Sequence, residues 1–223
     1  METEVVTNGH AKMMKMPKIT VEEQKIKIPP LAFALANITL IGDTPLLVNK
    51  FSEKSKVEML EKQMKRAKAA KPARDPEAEV QAALYVIESK STKKAKFYGI
   101  PAGGLKNCCV SACRFISGVP MTIARGAFQI ISDNPENLIE IKGSKPVIDE
   151  RIVRIGGFKK TAMVRFRPRF DEWSLSFKVK YNQSIISPEQ LLNLFENAGF
   201  AVGLCEHRPE KNGNNGMFSV KRS

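Results

Sequence analysis

The chain has 223 residues, 43% hydrophobic and 26% charged, a length and composition that allow a full globular core and exclude disorder throughout. No uninterrupted apolar run approaches the roughly 20 residues that cross a bilayer, so a membrane span is excluded. Thirty-six Lys and Arg against 23 Asp and Glu leave a net charge of +13, which calls for a polyanionic partner; nucleic acid is preferred to an anionic membrane, because no long basic amphipathic helix carries an apolar face to insert.

Residues 1–30 are polar, rich in Met and Lys, and end in Pro29-Pro30, as expected of a flexible arm meeting a folded body. Glu2 and Glu4 and the lack of an apolar signal core argue against secretion, and a cytoplasmic location is expected. The run LAFALANITLI at 31–41 predicts the first central strand, broken by Gly42-Asp43-Thr44-Pro45, where Asp43 reads as a turn cap. Residues 50–74 hold nine Lys and Arg against three Glu, with Phe51, Val57, Leu60 and Met64 near helical spacing until Pro72. Lys54, Lys65 and Arg66 belong to this basic concentration. A second helix is predicted over Pro76–Ile87 with Val80, Leu84 and Ile87 inward, followed by a basic solvated loop from Glu88 to Lys96.

Ile100-Pro-Ala-Gly-Gly-Leu105 leads into a predicted helix over Leu105–Ile116, and strands are predicted at Ala127–Ile131 and Leu138–Ile141. The basic stretch Glu150–Pro168 reads as a hairpin or loop excursion, since Pro168 lacks the donor that a central strand needs. Trp173–Tyr181 alternates apolar and polar residues, which predicts a strand with one wet face. Ser187-Pro188-Glu189-Gln190 carries a capping box and opens a helix over Pro188–Asn197, with Ala198-Gly199 as its expected stop. A final strand is predicted at Met217–Val220. The whole is an α+β chain, with residues 31–223 as one domain, a basic helical insertion at about 50–96 and a basic hairpin excursion at about 150–170.

Enzymatic groups are scarce. The cysteines Cys108, Cys109, Cys113 and Cys205 form no CxxC pair, and only His10 and His207 accompany them, so no metal or other cofactor is expected and the thiols read as reduced and partly buried. No Walker loop or Ser-His-Asp arrangement is present. Phosphate-binding groups are plentiful. Arg165, Arg167 and Arg169 fall at period two, so in an extended segment their guanidiniums point one way, with Phe166 and Phe170 anchoring the other side or Phe158 or Phe170 stacking on a base. Lys178 and Lys180 extend the wet face of the Trp173–Tyr181 strand. Lys106 and Arg114, eight residues apart, are expected on one helix face, and Arg208 and Lys211 add charge near the C-terminus.

Three segments carry a resemblance. Ile38-Thr-Leu-Ile-Gly-Asp-Thr-Pro-Leu46 looks like an opening strand and turn, and Ile100-Pro-Ala-Gly-Gly-Leu-Lys106 with Arg114 looks like a Pro/Gly-Ser-Leu-Lys segment before an Arg-bearing helix. Gly199-Phe-Ala-Val-Gly203 with Gly213-Asn-Asn-Gly216-Met-Phe218 looks like a glycine-rich loop. In this order they resemble the RAMP superfamily, RNA-binding proteins that include the backbone subunits of multi-subunit CRISPR effector complexes. Gly104 stands where that family has Ser, and Glu206-His-Arg-Pro-Glu-Lys211 interrupts the glycine-rich loop. The resemblance implies a ferredoxin-like, RNA-recognition-motif-type antiparallel sheet with helices on one face, RNA held by its phosphates, and subunits assembled side by side. Gly103, Gly104, Gly213 and Gly216 then allow close backbone approach.

The expected function is non-enzymatic, backbone-directed binding of single-stranded RNA, as a homo-oligomer or a subunit of a ribonucleoprotein. Three alternatives stand beside it: a single-stranded DNA-binding or annealing protein, a backbone-subunit mimic acting through protein contacts, and a metal-independent endoribonuclease using His207 with Lys211 or Arg208.

Overall fold

The computed structural model describes residues 30–51, 53–65, 73–88, 96–155 and 161–222. The N-terminal arm up to residue 29, Arg66, the core of the basic loop at 89–95, and Phe158 lie outside the described residues. The run FALANITLIG forms β1 (Phe33–Gly42), its apolar and β-branched residues suiting a half-buried pleated surface. β2 (Leu46–Leu47), α1 (Glu53–Gln63) and α2 (Pro76–Ala82) follow. Asp75 caps α2 by accepting from the amides of Glu77 and Ala78 at 3.0 and 3.3 Å, with Pro76 entering the first turn.

The helix predicted over Pro76–Ile87 ends at Ala82, and its second half is corrected to a strand, β3 (Tyr85–Glu88). Tyr85-Val-Ile is an aromatic and β-branched run that pairs antiparallel with β4 (Lys96–Pro101), a partner invisible to local periodicity. α3 (Ala102–Ala112) starts three residues before the predicted Leu105 and continues as one 3-10 turn at Cys113–Phe115. α4 (Met121–Ala127), behind Pro120, has no counterpart among the predicted elements. β5 (Phe128–Ile131), β6 (Leu138–Gly143), β7 (Val147–Ile155), β8 (Thr161–Phe170) and β9 (Trp173–Asn182) come next.

Ser187 opens α5 (Pro188–Ala201) with the predicted capping box: its Oγ accepts from the Gln190 amide at 3.2 Å, and Gln190 Oε1 accepts from the Ser187 amide at 2.9 Å. The predicted stop at Ala198-Gly199 is corrected, because α5 runs through Gly199 to Ala201. The glycine serves packing instead: a Cβ there would lie 1.8 Å from the carbonyl oxygen of Phe218 in β10 (Phe218–Val220).

The class is α+β, with two antiparallel sheets and five α-helices among the described residues. The larger sheet runs β10-β1-β9-β6-β4-β3, and β5 shares the same edge of β9 with β6. The smaller runs β2-β8-β7, so the basic stretch around Pro168 is a true hairpin whose second strand is central in its own sheet. Pro168 is accommodated because a strand residue turns its C=O and its N to the same side. Its carbonyl accepts from the Val48 amide at 3.0 Å, so the missing donor faces Val48 and costs the ladder to β7 nothing.

On β9 the odd residues Leu175, Phe177, Val179 and Tyr181 are buried and the even Ser176, Lys178 and Lys180 are exposed, the alternation that the sequence predicts. Against the buried face pack Leu105 and Cys109 of α3 and Leu191, Leu194 and Phe195 of α5. The Phe195 ring lies 6.0 Å from Phe128 and 5.7 Å from Phe177. No described helix is long and apolar enough to cross a membrane.

Candidate nucleic-acid interface

Two segments distant in sequence build a strongly cationic concavity. The first is the β7–β8 hairpin, whose register sets Arg151 opposite Arg165 and Asp149 opposite Arg167. The second is the loop after α5, fastened to the opening of the chain: the Glu206 amide donates to Leu47 O at 3.0 Å, the Gly216 amide to Pro45 O at 2.9 Å and the Asp43 amide to Met217 O at 2.9 Å. Asp43 itself accepts from Ser219 Oγ at 3.0 Å, holding this turn. Within the loop Cys205, His207 and Asn212 adopt left-handed backbone conformations at φ 63°, 52° and 58°. Such conformations cost energy in residues other than glycine and cluster at functional sites.

Between hairpin and loop lies a cleft of about 400 Å³ lined by Arg151, Arg165, Arg167, Arg208 and Lys211, with Glu206, His207, Cys205 and Val153 completing it. Five cations thus face one carboxylate. Arg151 and Arg165 are directly paired across the strands, an arrangement of like charges that weakens a sheet unless an anion lies between them. Arg165 and Lys211 form no ion pair among the described residues, which leaves their charge for an incoming phosphate.

Carboxylates in and beside the cleft hold the other guanidiniums. Glu206 Oε2 accepts from Arg167 Nε at 2.8 Å, while its other oxygen accepts from Asn49. Glu210 accepts from Arg208 at 2.7 Å and from Arg114. Asp149 is buried and accepts from Arg151 and Arg169. Burial works against the charge of Asp149 and of Glu210, yet the hydrogen bonds of their arginines outweigh it and hold both carboxyls below their ordinary range.

A lowered carboxyl pKa stabilises the fold fully above the unfolded value near 4 and loses that contribution as the pH falls through the folded value. Asp149→Asn is therefore expected to lower the unfolding free energy by about 1–3 kcal/mol at pH 7. In urea titrations the difference from the native chain should shrink as the pH drops below about 4; a constant difference would contradict the pairing.

The structure divides the predicted residues. Arg165 and Arg167 meet Arg208 and Lys211 in the cleft, whereas Arg169 stands apart, bound by Asp149 at 3.3 Å and Asp171 at 2.7 Å. Phe166 lies under the Arg74 guanidinium at 5.4 Å, and Phe170 is buried against Tyr98. Lys106 donates to Gln129 of β5 at 2.8 Å, and Arg114 reaches Glu210 on the C-terminal side, so the two serve different neighbours. Lys178 and Lys180 stand on the open face of the main sheet, Lys180 over the Phe33 ring at 4.1 Å. Lys54 falls within α1 and Lys65 in the turn that follows it, and Lys65 does not line the cleft.

Gly103 and Gly104 are exposed in the first turn of α3 with open space around them. Gly213 and Gly216 are packing glycines, since a Cβ would fall 1.8 Å from His207 O and 2.1 Å from Leu204 O. Burial raises the thiol pKa of all four cysteines, that of Cys205 to about 12, so none is a thiolate at neutral pH. Among the described residues no group of three or more His, Cys, Asp or Glu gathers to hold a metal ion. Arg151 is the cleft residue that sequence reading overlooks, because its place opposite Arg165 follows only from the hairpin register.

No protein family matches the chain, and no curated protein matches it. Among solved structures it is similar to a chain of the Type III-B Cmr-beta complex bound to cognate target RNA, at 11% identity and a TM-score of 0.49, over 85% of this chain and 59% of that one. It thus spans less than two thirds of that chain's length. It is also similar to Cmr6 from Pyrococcus furiosus, at 9% identity and a TM-score of 0.41, over 86% of this chain and all of that one.

Proposed function

We propose that this protein holds single-stranded nucleic acid, RNA before DNA, by its phosphates in the cleft between the β7–β8 hairpin and the C-terminal loop, without cleaving it. The observation that carries the reading is the cleft itself, five cations against one carboxylate in a chain of net charge +13. Arg165 and Lys211 engage phosphates directly, Arg167 joins them through the guanidinium nitrogen that Glu206 and the Phe166 carbonyl leave open, and the carboxylate-held Arg151 and Arg208 shape the walls. Residues 31–223 act as one domain, and neighbouring copies bind side by side along the strand or within a larger ribonucleoprotein.

Support for a ferredoxin-like core comes from the sheet. Taking β1, α3, β5, β9, α5 and β10 as a β-α-β-β-α-β unit gives the strand order β10-β1-β9-β5, antiparallel throughout. The segment from α1 to β4 and the β7–β8 hairpin are then elaborations of that core.

His207 sits in the cleft beside Arg208 and Lys211, which keeps the endoribonuclease reading in view. One experiment addresses both: parallel titration of single-stranded RNA and DNA of equal length, with scattering to count bound copies and a gel to inspect the recovered RNA. Expected are tighter binding of RNA, copy number rising with length, and intact RNA. Cleavage in the presence of chelator would replace the binding reading with the catalytic one, and tighter binding of DNA would replace the polymer.

A further inference from the structure

A second cleft, of about 410 Å³, lies against the first and shares Cys205, Glu206 and Arg208 with it as a common wall. Its chemistry is different. Where the first cleft carries five cations, this one carries Arg208 alone, faced by Glu206 and Glu210, whose charges are already engaged by Arg167 and by Arg114 and Arg208. A phosphate gains nothing there. Its uncharged polar and aromatic groups are Tyr85 of β3, Asn49 after β2, and Asn107 and Ser111 of α3, set among apolar residues that include Ile100, Leu105, Val202 and Leu204.

Asn107 and Ser111 are four residues apart on a helix, so they share one face with Gly104, which adds no side chain to the space. The Asn107 side chain has no hydrogen-bond partner among the described residues, and the Asn49 amide nitrogen gives one of its two N–H groups to Glu206, leaving the other to donate and the carbonyl oxygen to accept. Lys50 stands 5.9 Å from the centre of the Tyr85 ring. A flat ring beside amides that both donate and accept is what a planar heterocycle with polar edges requires.

We propose that this cleft is a nucleobase subsite: a base of the strand whose phosphates occupy the cationic cleft turns across the Cys205–Arg208 wall, lies against Tyr85 and is met at its edge by Asn107 and Asn49. The inference rests on the phosphate-binding reading of the first cleft. It adds base contact at one position per protein, with the preference among bases set by the amides.

The test uses the full chain and two RNA oligonucleotides of one length, one normal and one abasic throughout, which present equal numbers of phosphates. The normal strand is expected to bind about fivefold or more tightly than the abasic strand, the range of a single base–aromatic stack. Tyr85→Leu should remove that difference while leaving the abasic affinity and the salt dependence unchanged. Asn107→Ala, on an exposed helix position, should narrow it without any risk to the core. Equal binding of the two strands by the native chain, or an equal loss for both in Tyr85→Leu, overturns the subsite and leaves the phosphate cleft standing. Binding of neither strand overturns both. A free nucleoside monophosphate that displaces the strand at equal nucleotide concentration would assign the cleft to a small ligand and overturn the polymer register.

Discussion

Arg165→Gln, Arg167→Gln and Lys211→Gln together are expected to weaken RNA binding roughly a hundredfold and to flatten the dependence of log affinity on log salt by about 2. For single strands each phosphate contact contributes about 0.7 to that slope, so three lost contacts account for it. The affinity loss follows from about 1 kcal/mol per charge-assisted contact. The fold should tolerate the change, since Arg165 and Lys211 have no ion-pair partner among the described residues. The Arg167–Glu206 pair is partly exposed and worth about 1 kcal/mol or less. Two controls sharpen the result. Arg169→Gln should cost stability, because it leaves buried Asp149 with Arg151 alone, yet change the salt slope little. Replacing Lys178 and Lys180 by Gln should leave the slope near its native value, because they lie on the open sheet face. A flattened slope in the lysine pair with a native slope in the triple variant would move the RNA from the cleft to the sheet.

The second large effect concerns Gly199→Ala, for which helix propensity and packing give opposite signs. Gly199 lies inside α5, where alanine is favoured over glycine by about 1 kcal/mol. The added methyl would sit 1.8 Å from the Phe218 carbonyl oxygen and 2.8 Å from its carbon, and neither backbone atom can rotate away. α5 must then withdraw from β10, uncovering Phe218 and Val220, both buried. A loss of roughly 4 kcal/mol or more is expected, with β10 released from β1. Thermal unfolding checks it. A rise in melting temperature would show that the helix and the strand are not in this contact.

Legibility differed from element to element for physical reasons. The Trp173–Tyr181 alternation and the Ser187–Gln190 capping box are local codes, in which each residue's role is set by its immediate neighbours, and both are found where predicted. Tyr85-Val-Ile was legible as an apolar run but not as a strand, because only the antiparallel partner β4 decides between helix and sheet. Gly199 and Pro168 misled for one reason: each has a local meaning as a breaker that a partner distant in sequence overrides, the Phe218 carbonyl packing against Gly199 and the Val48 amide donating to the Pro168 carbonyl.

The cleft was half legible. Period two placed Arg165 and Arg167 on one side of a strand, and Arg208 and Lys211 were conspicuous by charge. Their convergence needed the hairpin register and the anchoring of the C-terminal loop at Pro45 and Leu47. Arg169 shows the limit of the pattern, since its period matches Arg165 and Arg167 while Asp149 and Asp171 claim its charge.

The most direct test of phosphate-directed binding is the affinity of the native chain for two single-stranded RNAs of unrelated sequence and equal length, measured across a salt series. Expected are parallel lines of log affinity against log salt with a common slope of at least about −2, corresponding to three or more phosphates neutralised, and affinities that differ by little between the sequences. Binding that is independent of salt, confined to one of the sequences, or absent at moderate ionic strength would contradict it.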